Sequence, residues 1–125
     1  MDVAPIFAPG GPLEKAVAGF RHREQQVEFA QAVLEAIETS GVLIAEAGTG
    51  TGKTFAYLVP ALLAGGRVIV STGTKTLQDQ LFERDLPLVR DALRVPVTIA
   101  LLKGRANYVC HHHLERASHE DRLPS

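Results

Sequence analysis

Val27, Ala30, Val33, Leu34 and Ile37 recur at the three- and four-residue spacing of one helical face, which predicts a helix over 24–39 with Gly41 as its stop. The next apolar residues break that rhythm. Positions 42–45 (VLIA) form a short unbroken run between a glycine and a glycine-rich loop, the pattern of a strand covered on both faces. The runs 67–71 (RVIVS) and 97–102 (VTIALL) predict two more strands of the same kind. Between them the pattern turns helical again. One helix is predicted over 53–63, kinked or shortened by Pro60 and ended by Gly65 and Gly66. Another is predicted over 74–84, with Leu77, Leu81 and Phe82 apolar and Thr72 or Thr74 as its cap, and a third over 86–93. Strands alternating with helices predict an α/β fold with a parallel sheet and right-handed crossovers. Residues 1–12, rich in proline and glycine, predict an irregular arm, followed by a short helical piece over 13–17.

Composition narrows this picture without redirecting it. A chain of 125 residues is one domain at most. Its net charge of −1 and 46% hydrophobic content are those of an ordinary globular protein, so any nucleic-acid contact has to come from local basic clusters. The longest apolar run, 55–64, contains Pro60 and falls well short of the roughly 20 residues that a membrane span needs, so no membrane association is expected. The N-terminus lacks the basic start and long apolar stretch of a secretory leader, and the single cysteine excludes an internal disulfide framework. Together these favour a reducing interior, most simply the cytoplasm.

The chemistry concentrates in EAGTGTGKT, residues 46–54. This is the phosphate-loop pattern with Ala47 at the position where the strict form has glycine. Gly48, Gly50 and Gly52 let the backbone turn its N–H groups inward, with Thr49 and Thr51 between them, and form a concave anion site at the start of the following helix. Lys53 is then placed to reach the β- and γ-phosphates of a nucleotide, and the Thr54 hydroxyl to ligate Mg²⁺ beside phosphate oxygens. The plain alternative is a flexible glycine-rich turn with an exposed lysine.

Four segments in order, GFRHREQQ (19–26), EAGTGTGKT, STGTKTLQDQL (71–81) and LLKGRANYVC (101–110), give the chain its resemblance to a known family. It resembles the superfamily 2 iron–sulfur DNA helicases of the XPD/DinG type, and within them the bacterial YoaA branch. The resemblance implies a partial RecA-like P-loop lobe, cut off where the iron–sulfur domain starts. Residues 1–18 would then be an N-terminal arm, 19–102 the first part of the ATP-binding domain, and 103–125 the beginning of the iron–sulfur domain. By the same resemblance, GFRHREQQ is similar to the family's Q motif, in which a glutamine reads the adenine edge and selects ATP. Gln26 is the choice, an amide offering a donor and an acceptor to adenine's paired groups, although its neighbour Gln25 occupies the place where relatives have proline. Read without the family, the same residues are the polar first turn of an amphipathic helix.

Ser71, Thr72, Gly73, Thr74 and Lys75 resemble the family's motif Ia, which holds the phosphodiester backbone of single-stranded DNA. Three hydroxyls, a glycine and a helix start make a donor-rich anion site that positions a strand without reading its sequence, or alternatively an ordinary capped turn. Lys103 and Arg105 with Tyr108 form a small basic and aromatic patch able to grip a backbone and stack a base, or else a solvated loop. Cys110 matches the first of four ligands to the family's [4Fe–4S] cluster, and this chain holds no other cysteine. His111 to His113 follow it, but three consecutive side chains on a helix cannot all face one ion.

After Thr54 no apolar strand ends in the Asp–Glu pair that such an NTPase uses to hold Mg²⁺ and orient water, and the family's arginine finger belongs to a second lobe. The chain therefore reads as the N-terminal piece of a much longer protein, binding nucleotide weakly by itself and not turning it over. What the resemblance implies for the parent is ATP-driven 5′→3′ movement on single-stranded DNA, unwinding forked or damaged duplex in repair or replication alongside other replication or repair proteins. Two other classes share the phosphate loop: a small nucleotide kinase, which should carry an arginine-rich lid that is not evident here, and a non-enzymatic nucleotide-binding module.

Overall fold

The structure is a computed structural model that describes residues 1–46 and 52–103. Its elements are helices: α1 (Ala4–Phe7), α2 (Pro12–Ala16), α3 (Glu24–Glu38), α4 (Lys53–Ala64), α5 (Lys75–Gln80), a π-helical turn (Leu81–Asp85) and α6 (Leu86–Leu93). α4 is the centre. It lies against α3 on one side and α6 on another, while α2 packs on α6 and α1 bridges α2 and α3. Ala30 and Leu34 of α3, Ala56, Leu58 and Val59 of α4, Leu81 and Val89 close around this centre and are buried.

The N-terminal residues are not the irregular arm that their prolines suggest. Pro5 and Pro12 each stand in the first turn of a short helix, where a missing N–H costs nothing because that group would have no intrahelical partner. Val3, Phe7 and Leu13 are fully buried in the common core. Gln31 of α3 clamps this segment through both ends of its amide, Oε1 accepting from Val3 N–H at 3.2 Å and Nε2 donating to the Met1 carbonyl at 3.3 Å. His22 Nδ1 donates to the Phe7 carbonyl at 3.1 Å and ties the segment to the entrance of α3.

α3 keeps its predicted bounds to within a residue and stops at Gly41, with the left-handed residue one position earlier. Ser40 takes that conformation at φ 53°, and the helix closes with Gly41 N–H on the Ala36 carbonyl at 2.7 Å and Ser40 N–H on the Ile37 carbonyl at 3.3 Å. Pro60 does not shorten α4, which runs on to Ala64 and ends at Gly65 in a positive-φ conformation. The predicted helices over 74–84 and 86–93 are one helical run, joined through the π-helical turn rather than separated. Thr74 is the cap, its hydroxyl oxygen accepting from Leu77 N–H at 3.2 Å.

None of the three predicted strands forms a ladder among the described residues. Residues 42–45, 67–71 and 97–102 run without regular hydrogen-bonded structure. They still show the two-residue alternation of strands. Val97, Ile99 and Leu101 are half-buried while Thr98, Ala100 and Leu102 face outward. Leu43 lines an open apolar groove of about 500 Å³ with Phe29, Val33, Ile37 and Tyr57, whereas its neighbours Val42 and Ile44 are 91% and 94% exposed. Ile69 is 93% exposed and Leu102 85%. A strand covered on both faces needs a layer on each side, and the described residues supply helices on one side only. No helix among them is long and apolar enough to cross a membrane.

Two stability changes follow from these contacts. Phe7→Ala should lower the unfolding free energy by about 3–5 kcal/mol, the cost of emptying a packed aromatic site, read as a lower urea midpoint at unchanged slope; a loss below about 0.5 kcal/mol would return the N-terminal helices to the periphery. Ser40→Gly should raise stability by about 1 kcal/mol, because glycine adopts the left-handed conformation without the Cβ penalty, and a drop in midpoint would show that the Ser40 side chain contributes more than its backbone costs.

Candidate functional site

Of the residues that the sequence assigns to nucleotide binding, the described ones, Gln26, Gly52, Lys53 and Thr54, lie where α3 and α4 begin. Gln26, Ala30 and Leu34 lie four residues apart and form the buried stripe of α3. Gln26 is 3% exposed, whereas Gln25 is on the surface. The Gln26 Nε2 donates to the Gly52 carbonyl at 3.0 Å. That same carbonyl accepts the first intrahelical bond of α4, from Ala56 N–H at 3.2 Å. Gln26 Oε1 is buried and has no hydrogen-bond partner among the described residues.

Gly52 is required here for two separate reasons. It is the N-cap of α4 in the left-handed region, φ 74° and ψ 37°, where a side chain is strained. A Cβ at this position would also collide with the Gln26 amide nitrogen. Among the described residues no side chain caps α4, whose N-cap is Gly52, and an anion is the favoured partner for the first-turn N–H groups. Lys53 is exposed and Thr54 half-buried at this start. Residues 47–51, which carry Ala47, Gly48, Thr49, Gly50 and Thr51, lie outside the described residues.

The Thr54 side chain stands near the Tyr57 phenol one turn along α4. Burial raises the Tyr57 phenol above its ordinary pKa; the Thr54 side chain pulls the other way, and the Asp85 carboxylate adds a smaller upward push. The phenol is therefore neutral at physiological pH. Asp85 is a residue that sequence reasoning missed. It is 3% exposed in the π-helical turn, its Oδ1 accepting from Arg84 Nε at 3.0 Å and its Oδ2 from Gln80 Nε2 at 3.4 Å. The signal was present, since Leu81, Asp85 and Val89 recur every four residues and all three are buried. An acid on an apolar stripe marks a position with a polar task.

The residues assigned to DNA stand apart from this pair, at the start of α5. Thr72 Oγ1 donates to the Thr74 carbonyl at 3.3 Å, and the Thr74 hydroxyl oxygen is engaged as the cap, so two of the three hydroxyls already shape the turn. Ser71, Gly73 and Lys75 are exposed. Gln78 Nε2 donates to the Leu102 carbonyl at 3.2 Å and fastens α5 to the segment that leads to half-buried Lys103. Arg105, Tyr108, Cys110 and His111 to His113 lie outside the described residues. Among the described residues no group of three His, Cys, Asp or Glu side chains could hold a metal ion.

Comparison with known proteins identifies the family. Residues 25–117 match the DEAD/DEAH box helicase family. The chain is 58% identical over 110 residues to the ATP-dependent DNA helicase YoaA of Escherichia coli, covering 88% of this chain and 17% of that protein. It is 55% identical over 115 residues to the YoaA helicase of Haemophilus influenzae, covering 92% of this chain and 18% of the relative. Against the ATP-dependent helicase DinG of Mycobacterium tuberculosis the identity is 46% over 121 residues, with 87% and 18% covered. The chain thus spans less than a fifth of the length of these relatives. No solved structure matches it significantly. Because the family match runs from Gln25 past the phosphate-loop segment and Cys110, the chain belongs to the DEAD/DEAH box helicases and is a relative of the DinG and YoaA type.

Proposed function

We propose that this chain is the nucleotide-binding first part of an ATP-dependent DNA helicase, and that the longer protein moves 5′→3′ along single-stranded DNA, opening forked or damaged duplex in repair or replication. The observation that carries the reading is the uncapped start of α4, with Gly52, Lys53 and Thr54 in register and Gln26 buried against them. In a family of ATP-dependent helicases this is the arrangement that a polyphosphate fits. The open N–H groups suit phosphate oxygens, glycine leaves room for close backbone approach, and an ammonium and a hydroxyl stand on adjacent positions.

In that reading, Lys53 holds the β- and γ-phosphates, Thr54 offers its hydroxyl to Mg²⁺, and Gln26 presents Oε1 toward the amino group of adenine. Residues 47–52 wrap the phosphates with backbone N–H groups. Bound Mg²⁺ would supply neutralising charge where the phosphoryl group is transferred. The acidic residue that orients water and the arginine that completes the site are assigned to the rest of the longer protein. Ser71, Thr72, Gly73, Thr74, Lys75, Lys103 and Arg105 are proposed to hold the DNA backbone, with Ser71, Gly73, Thr74 and Lys75 exposed among those described. Cys110 is proposed as one of four ligands to a [4Fe–4S] cluster, and a cytoplasmic location is proposed with it.

The outward apolar residues Val42, Ile44, Ile69 and Leu102 support a RecA-like lobe whose parallel sheet is completed by later parts of the longer protein. In the full-length helicase, Lys53→Ala should lower single-stranded-DNA-stimulated phosphate release by about a hundredfold or more, while the purified protein still carries about four irons. Hydrolysis by that variant at the unsubstituted rate would remove the phosphate-loop assignment, and an iron-free protein would remove the cluster.

A further inference from the structure

Packing does not explain a glutamine at position 26. Its neighbours on the same stripe, Ala30 and Leu34, are fully buried and apolar, and a leucine or methionine would complete that stripe. Gln26 instead carries an amide into the core with its oxygen unpartnered among the described residues, an arrangement that is unfavourable unless its nitrogen does something that apolar atoms cannot. The nitrogen donates to the Gly52 carbonyl, the atom at which the phosphate loop ends and α4 begins.

We propose that Gln26 is a positioning residue for the phosphate loop, holding the Gly52 carbonyl so that Lys53 and Thr54 leave the start of α4 in a fixed direction. This role is separate from reading a nucleobase, and it rests on the phosphate-loop assignment made above. The geometry gives it two supports. The Gly52 carbonyl has both lone pairs occupied, one by Ala56 N–H and one by Gln26, so the turn preceding Lys53 is held from inside α4 and from α3 at once. Gly52 also has no Cβ, which is what lets the amide approach, so the glycine and the glutamine fit as a pair. A left-handed glycine is among the softest points of a backbone, and its conformation is held by whatever its neighbours bond to.

A ligand without a base separates the two roles. Binding of magnesium tripolyphosphate, ATP and GTP to the full-length protein would be measured by calorimetry for the unsubstituted chain, Gln26→Met and Gln31→Ala. Gln26→Met keeps the volume and removes the donor. Gln31→Ala disturbs the same helix through the N-terminal clamp, away from the phosphate loop. The expected result is tripolyphosphate affinity weakened about five- to tenfold by Gln26→Met, the loss of one hydrogen bond, and changed less than about twofold by Gln31→Ala. Should Gln26→Met fail to fold, Gln26→Asn, which keeps the amide but cannot reach as far, gives the same reading.

Tripolyphosphate affinity untouched by the Gln26 variants, with only the preference for ATP over GTP lost, would overturn the positioning role and leave Gln26 acting on the base alone. Equal weakening by Gln31→Ala would reduce it to general stability and overturn it as well. If the unsubstituted protein itself ignores tripolyphosphate but binds ATP, it is the phosphate-loop assignment that fails, and the positioning role falls with it.

Discussion

The carbonyl of Gly52 is where this structure is tied together. It receives the first hydrogen bond of α4 and the amide of Gln26 from α3, so the helix at the centre of the core and the helix beside it are registered at one atom. Everything packed around α4 inherits that register. Ala56, Leu58 and Val59 face the core only if α4 starts where it does, and a shift by one residue would rotate the helix by about 100° and carry these side chains out of place. The net strength of such a bond is only about 1 kcal/mol, but leaving the buried amide without it costs more. Its effect is to select one arrangement rather than to supply much of the stability.

A second polar residue reaches α4 from the other side in the same manner. Asp85 lies on the apolar stripe of the helical run from α5 to α6, as Gln26 does on that of α3, and both look toward the first turns of α4. Asp85 acts on Tyr57 through its charge, and Tyr57 in turn stands near Thr54. The pair of Asp85 with Arg84 adds little by itself, because the Arg84 side chain is largely in solvent. The consequence is that α4 carries at its start two groups, the Gly52 carbonyl and the Thr54 hydroxyl, whose surroundings are set by neighbouring helices as well as by α4.

What was legible in the sequence follows from which rules depend only on neighbours along the chain. The stripe of α3, the start of α4 after a glycine-rich segment and the cap at Thr74 are local patterns, and each is present. The helical piece expected over 13–17 is present as α2, whereas α1 was hidden because proline reads as a breaker, although Pro5 sits in a first turn, the helical position that tolerates it. Gly41 closes α3 through its N–H as a stop should, while Ser40 before it takes the left-handed conformation. The π-helical turn has no sequence signature, and it made one helical run of two predicted helices. At the site, local pattern pointed to Lys53, Thr54 and the glutamine pair, but only burial distinguishes Gln26 from Gln25, and Asp85 fell between the helices predicted over 74–84 and 86–93.

The three apolar segments form no ladder among the described residues, for a physical reason. Their composition, runs of apolar residues, is that of strands with cover on both faces. Half-buried Val97, Ile99 and Leu101 alternate with exposed neighbours, and Leu43, Val68 and Val70 are exposed but less so than Val42, Ile44 and Ile69, so one face has found part of its cover. A two-faced pattern is a statement about two layers, whereas the described residues contain helices on one side. Backbone pairing depends on the same condition, since a strand needs a neighbour aligned along its whole length before its N–H and C=O groups gain more from each other than from water. With the outer faces of Val42, Ile44, Ile69 and Leu102 still in solvent, little holds the three segments side by side. The helical half of the architecture is specified by contacts within the described residues, and the sheet is specified by a pattern that those contacts satisfy on one side.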